Sequence, residues 1–156
     1  MKVAENGSIA LMQVIGRGTC KVAVGFRHWI DEIVSSPTVK SVMLDLSSCS
    51  SLDSTFMGLM VTLAIQSRRR FSLLVLNATP EHHELLDGIG VTKVWRYVEQ
   101  PIPSLTWSEL ESAAVGSQSM DGASKSVIIE AHEALMDLDE ANIPKFRDVV
   151  ELLKGE

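Results

Sequence analysis

The chain has 156 residues, which is about the size of one ordinary domain and enough to bury a hydrophobic core. Hydrophobic residues make up 46% and charged residues 22%, a globular and not a disordered composition. The formal net charge is -6, which argues against direct nucleic-acid binding, because phosphate backbones attract basic proteins. No apolar run has the length of a bilayer span and no signal-peptide pattern opens the chain, so the sequence predicts a soluble, cytoplasmic protein without membrane contact.

The first third of the sequence predicts a hairpin followed by a helix. Asn6 and Gly7 lie between apolar segments and form a strong turn signal, because both residue types tolerate a positive φ. Residues 9–15 are then the second strand of the hairpin. Apolar residues recur at helical spacing over 19–35, which predicts the first helix.

Strands and helices alternate over the next part of the chain. The predicted elements are a strand over 39–46, a helix that begins at 53, a strand over 71–76, a helix over 79–88 and a short strand over 94–98. Such alternation favours right-handed crossovers and a parallel sheet. The sequence therefore predicts a mixed α/β fold with a mostly parallel sheet of four to five strands, to which the N-terminal hairpin adds an antiparallel edge.

The last third has a different composition. Prolines, glycines, serines and threonines are frequent over 100–123, which indicates a linker. Two amphipathic segments follow within 124–154 and predict a helical pair. We therefore expect a domain over 1–99, a linker and a C-terminal helical hairpin. The apolar stripes of this hairpin need a partner surface, either on its own domain or in a homodimer, and the sequence leaves both open.

The start of the second predicted helix carries the clearest chemical signal. Asp53 is a good N-cap, because its carboxylate can accept the free backbone N–H groups of the first turn, and Ser54 follows it directly. Taken alone, this pair is more often a helix cap than a functional site. The opposite side of the helix from its apolar face is a predicted polar strip made of Thr55, Gly58, Thr62 and Gln66.

The segment VMLDLSSCSSLDSTFMG, residues 42–58, resembles the central signature of STAS domains. In that signature an apolar strand ends in Asp, and a loop leads to Asp-Ser-Ser/Thr-Gly-x-Gly at a helix start. Residues 73–76 resemble the next strand of the family, and residues 84–90 look like the helix before its final short strand. The resemblance covers about residues 1–98 in order and spacing, and in this stretch the chain resembles the anti-sigma factor antagonist family.

The resemblance implies a partner switch and not an enzyme. In such antagonists the unmodified serine form binds an anti-sigma factor, a histidine-kinase-like serine kinase. That kinase phosphorylates the serine and the complex separates, and a metal-dependent phosphatase of the PP2C type reverses the step. The matching serine is Ser54. The partner-binding residues that follow from the match and from the predicted strip are Asp53, Ser54, Thr55, Gly58, Thr62 and Gln66.

Two positions depart from the family pattern. Phe56 stands where the family usually has glycine, although Gly58 is retained. Thr19 lies near the place of an acidic residue that is common after the second strand. These departures affect the expected kinase contacts more than the fold. The alternative function is a non-phosphorylated STAS scaffold, or a ligand-binding protein, that acts through its C-terminal helices.

Other polar clusters carry no expected chemistry. His82 and His83 are adjacent and would point to different sides of a helix, so with Glu84 they indicate a solvated face and not a metal site. His132 and Glu133 lack the second histidine of a metalloprotease helix. We expect no metal, no cofactor and no catalytic residues.

Overall fold

The computed structural model describes residues 1–102, 104–110 and 122–155, which contain eight strands and five α-helices. The strands are β1 Lys2–Asn6, β2 Ile9–Gln13, β3 Gly16–Gly18, β4 Ser41–Asp45, β5 Cys49–Leu52, β6 Ser72–Leu76, β7 Arg96–Val98 and β8 Ser108–Glu109. The helices are α1 Ala23–Ser35, α2 Ser54–Ser67, α3 Pro80–Gly88, α4 Gly122–Leu138 and α5 Ile143–Gly155.

Six of these strands form one sheet in the order β7-β6-β4-β2-β1-β8. The pairs β2–β4, β4–β6 and β6–β7 are parallel, whereas β1 pairs antiparallel with β2 and with β8. Gly7, with a φ of 61°, lies in the two-residue loop between the paired residues Asn6 and Ile9. The mixed, mostly parallel sheet and its N-terminal hairpin are therefore confirmed.

The sheet has more strands than the sequence predicted. β8 lies inside the predicted linker and pairs with β1 through only two residues, Val3 with Ser108 and Lys2 with Glu109. A separate parallel pair joins β3 to β5, in regions where the sequence predicted only glycine-rich and serine-rich loops. Strands this short are held by backbone hydrogen bonds and need no apolar alternation, so their side chains carry little signal.

The hydrophobic core is built around α1, α2 and the central strands. The rings of Phe26 and Phe56 lie 4.9 Å apart between α1 and α2. The indole N–H of Trp95 donates to the backbone oxygen of Met60 at 2.9 Å, which fixes the middle of α2 against the segment before β7. The position of α2 is therefore set from two sides of the core.

The C-terminal helices pack on their own domain. Ala131 and Leu135 of α4 are fully buried and belong to the same hydrophobic cluster as the core of the sheet domain. The apolar stripes that the sequence left without a partner are therefore covered within one chain. The expectation of an exposed polar strip on α2 is wrong: Thr55 is 5% exposed and Thr62 is 3% exposed, and α4 packs against the same helix.

His82 is a second correction. The sequence predicted a solvated face for His82 and its neighbours, but the His82 side chain is only 2% exposed. Its Nδ1 accepts from the backbone N–H of Thr79 at 3.0 Å, and its Nε2 lies 3.0 Å from the carbonyl oxygen of Cys49. His82 thus completes the N-terminal cap of α3 and ties that helix to β5, a structural role that helical spacing alone does not reveal.

Candidate functional site: the start of α2

Asp53 anchors the start of α2 with both of its carboxylate oxygens. Oδ1 accepts from the backbone N–H of Phe56 at 2.8 Å, which is the N-cap that the sequence predicted. Oδ2 accepts from the backbone N–H of Cys20 at 2.8 Å. The Asp53 backbone N–H in turn donates to the carbonyl oxygen of Gly18 at 2.9 Å. The helix start is therefore held against the turn that follows β3.

Ser54 is the first residue of α2 and is partly buried. Its Oγ lies 2.9 Å from Nε2 of His132 on α4. The other ring nitrogen of His132 lies 2.7 Å from the backbone oxygen of Ile128. A carbonyl oxygen can only accept, so Nδ1 carries a proton in this contact. The Ser54 hydroxyl and Nε2 of His132 thus form a side-chain hydrogen bond that joins α2 to α4.

Sequence reasoning missed His132 as part of this site. The side chain is 4% exposed, and its ring lies 5.3 Å from the ring of Phe146 on α5. One signal was available: Ile128, His132 and Leu135 recur at helical spacing, which places the histidine on the buried stripe of α4. Its contact with α2 could not be predicted this way, because periodicity indicates which face of a helix is buried but not which element covers that face.

The predicted partner-binding residues do share one region of α2, and α4 covers most of it. A Cβ placed on Gly58 would lie 2.3 Å from the backbone oxygen of Ala131 and 2.9 Å from its Cβ, so the two helices approach too closely for any side chain at position 58. Thr62 donates its hydroxyl to the Gly58 carbonyl at 3.0 Å, and Gln66 is half-buried at the far end. The site is thus a helix face in contact with the chain's own C-terminal helix.

Two ion pairs join the α4 side of the C-terminal pair to the rest of the domain. Arg27 of α1 makes an ion pair with Glu130 of α4 at 3.1 Å. Lys93 makes another with Asp139, at 3.0 Å. The backbone N–H of Ala141 and then the Lys93 ammonium stabilise the Asp139 carboxylate and lower its pKa below the usual value.

The two cysteines have different environments. Both thiols are free, with Cys20 exposed and Cys49 buried. Burial raises the pKa of Cys49, although the thiol donates to the backbone oxygen of Ser51 at 3.3 Å.

Within the described ranges, no group of three or more His, Cys, Asp or Glu side chains is placed to hold a metal ion. In the same part of the chain, no helix combines the length and the apolar character needed to cross a membrane.

The sheet order and the capped serine at the head of α2 define an α/β module of the STAS type, extended by a C-terminal helical pair. A family model described as STAS domain matches residues 1–102, and the chain therefore belongs to the STAS domain family. The described residues of α4 and α5 lie beyond that match.

One solved structure supports the same fold. It is described as the anti-sigma factor antagonist SpoIIAA in its unphosphorylated form, and it is similar to this chain with a TM-score of 0.51 and 13% sequence identity. The similarity covers 62% of this chain and 84% of that chain. No curated protein matches the chain.

Proposed function

We propose that the chain is a regulatory binding module of the anti-sigma factor antagonist kind and not an enzyme. It docks an anti-sigma factor with serine-kinase activity at the start of α2, and phosphorylation of Ser54 switches that docking off. A phosphatase of the PP2C type restores the unmodified form in the cytoplasm. The observation that carries the proposal is the position of Ser54, which opens α2 directly after a fully used Asp53 cap.

Phosphorylation at this position leaves the scaffold intact. A phosphate adds about -1.5 to -2 charge and three acceptor oxygens. At a helix N-terminus the free N–H groups and the helix dipole favour an anion, so α2 keeps its cap and stays helical. The penalty falls on the interface, where a dianion beside Asp53 must lose its water. A loss of about 3 kcal/mol weakens binding by roughly a hundredfold.

Two substitutions test this proposal. Ser54→Ala should keep the affinity for the anti-sigma kinase of the same organism, whereas Ser54→Asp should weaken it at least tenfold, both measured by titration calorimetry. The matched control is the same pair of changes at Ser48, an exposed loop residue, which should leave binding unchanged. Equal affinity of the two Ser54 variants would remove Ser54 from the mechanism.

A scaffold that acts through its C-terminal helices is the second candidate. It is favoured by the exposed apolar side chains of α5, since Leu152 is 67% exposed and Val149 is also open to solvent. Under this function, Leu152→Glu abolishes partner capture and the Ser54 variants have no effect. Under the switch function, Leu152→Glu leaves partner binding unchanged and the Ser54 variants differ in affinity. The two sets of variants therefore separate the candidates.

A further inference from the structure

We propose that the α4–α5 pair is an intramolecular cover over the Ser54 face, and that a phosphate on Ser54 and the docked position of α4 exclude each other. The proposal rests on the proposed function for its biological meaning, since it names the regulation of that same face. The contact itself is within this chain and can be tested without a partner. It follows from three observations on the contact between α2 and α4.

The first observation is the lack of space between the helices. The backbone oxygen of Ala131 lies 2.3 Å from where a Cβ of residue 58 would be. Real Cβ atoms are not found that close to a backbone atom, so Gly58 and Ala131 are in tight backbone contact. α4 therefore cannot move closer to α2, and room for a larger group between the helices requires α4 to move away from α2.

The second observation is the position of His132. The Ser54 hydroxyl, an oxygen that carries one proton, lies 2.9 Å from Nε2 of this ring. Phosphorylation replaces that proton with a phosphorus atom that carries three further oxygens. The ring cannot simply swing aside, because Nδ1 is bonded to the Ile128 carbonyl and the Phe146 ring packs beside it. The hydroxyl must lose this contact before a kinase can modify it.

The third observation is that the ion pairs of the cover are weak and that the cover lies outside the STAS match, so that burial of residues such as Ala131 and Leu135 is what holds it. The pairs Arg27–Glu130 and Lys93–Asp139 each have at least one partner that is well exposed, and exposed ion pairs contribute little. The cover lies beyond the matched STAS residues 1–102, which contain the four strands of the parallel part of the sheet. The helices α4 and α5 can therefore separate from the domain without removing a strand of its parallel sheet.

The cover sets how much of the protein is able to bind. A partner that needs the face of Thr55, Gly58 and Thr62 competes with α4, so its apparent affinity falls by the fraction of molecules in which the face is open. A face that is open in about 1% of molecules weakens the apparent affinity by about a hundredfold. Phosphoserine at position 54 would hold the cover open and block docking through its own charge.

Hydrogen exchange on the full chain tests the cover without any partner. Phosphoserine is introduced at position 54 during translation, and backbone exchange is followed by mass spectrometry. We expect exchange in α4 to become at least tenfold faster, while β4 and β6 keep their protection. The matched control is phosphoserine at position 48, on the exposed loop before β5, which should leave α4 as protected as in the unmodified chain.

Three outcomes decide the proposal. Faster exchange of α4 with phosphoserine at position 54 alone supports it. Equal protection of α4 in the phosphorylated and unmodified chains overturns it. Loss of protection in β4 and β6 together with α4 also contradicts it, because the cover would then not separate from an intact domain.

A second variant keeps the test independent of phosphorylation. Ala131→Glu places a charged side chain at the closest approach of the helices and changes no residue of the docking face. It should open α4 in the same exchange measurement, and failure to do so would contradict the tight contact on which the cover depends. The exchange results stand apart from the proposed function: if α4 opens and no anti-sigma kinase binds, the function fails and the cover remains.

Discussion

At the scale of single residues, the hydrogen bond between Ser54 and His132 joins positions 78 apart in the sequence. The sequence located Ser54 correctly at a helix start, because a cap followed by an apolar helix has a local pattern. His132 could be placed on a buried stripe, but its partner could not be predicted, since a contact between two helices leaves no local trace. That Ser54 is phosphorylated stays a prediction.

Gly58→Ala tests the close approach of α2 and α4. Alanine is the better helix former, which alone would stabilise the chain by up to about 1 kcal/mol. The new Cβ would meet the Ala131 backbone, which has no rotamer to change, so we expect the free energy of unfolding to fall by about 1 to 3 kcal/mol. Urea denaturation measures the difference.

The control for this substitution is Gly88→Ala. Gly88 is also a helical glycine, but a Cβ there would have no neighbour within 4 Å. Alanine at this position should therefore keep or raise the stability by up to about 1 kcal/mol. A Gly58→Ala variant as stable as Gly88→Ala would show that α4 does not lie against α2 at this distance.

The two thiols should react at different rates. Cys20 is exposed, whereas Cys49 is buried and its pKa is raised, so little reactive thiolate is present there near neutral pH. We expect iodoacetamide to modify Cys20 at least tenfold faster than Cys49, as followed by mass spectrometry of the intact chain. In denaturant the two rates should become similar. Equal rates in the native protein would contradict the packing of β5.

At the scale of elements, the predicted helices and long strands are largely confirmed, because the helices have recurring apolar residues or a clear start signal and the long strands are short apolar runs. The short strands β3, β5 and β8 were not predicted, since two to four residues cannot establish a period. The error on α2 has a different origin. Threonine, glycine and glutamine predict an exposed face, yet Thr62 satisfies its hydroxyl within its own helix and Gly58 serves a close contact.

The cap of α2 can be measured by two changes at one position. Asp53→Ala removes the acceptors for Phe56 and for Cys20, and we expect the free energy of unfolding to fall by about 1 to 2 kcal/mol. Asp53→Asn keeps one oxygen acceptor for the helix cap, so the loss should be about half as large. Urea titrations of both variants provide the test. Equal losses of stability would mean that only the contact with the Cys20 backbone matters.

At the scale of the whole molecule, the STAS fold was predictable from the order of elements, and the attachment of the C-terminal pair was not. The sequence showed two amphipathic helices that needed a surface, but a homodimer would have satisfied the same stripes. In the structure, contacts such as that of Asn142 hold the pair on its own domain. The Asn142 side-chain amide donates to the Ile89 carbonyl at 2.9 Å, and the residue is 1% exposed. A single buried amide of this kind has no sequence pattern.

Acid should weaken the attachment of the C-terminal pair through Asp139. The pKa of Asp139 is lowered in the folded chain, so its contribution to stability is complete above its unfolded pKa of about 3.9 and is lost as the pH falls through the folded value. We therefore expect Asp139→Asn to be less stable than the wild type near neutral pH. The difference should shrink in acid solution.

Urea titrations of both proteins across the acid range measure this effect. The wild type should lose stability more steeply than Asp139→Asn as the pH falls past the unfolded pKa. A difference between the two proteins that does not change with pH would indicate that Asp139 acts only as a cap for Ala141 and does not depend on its charge.

The proposed switch requires that Ser54 is the modified residue at a docking face. The most direct test is phosphopeptide mass spectrometry of the chain isolated from its own cells under several growth conditions. We expect phosphate on Ser54 in at least one condition and none on Ser47, Ser48 or Ser50, although these three side chains are more exposed. Phosphate confined to those exposed serines, or an unmodified Ser54 in every condition, would contradict it.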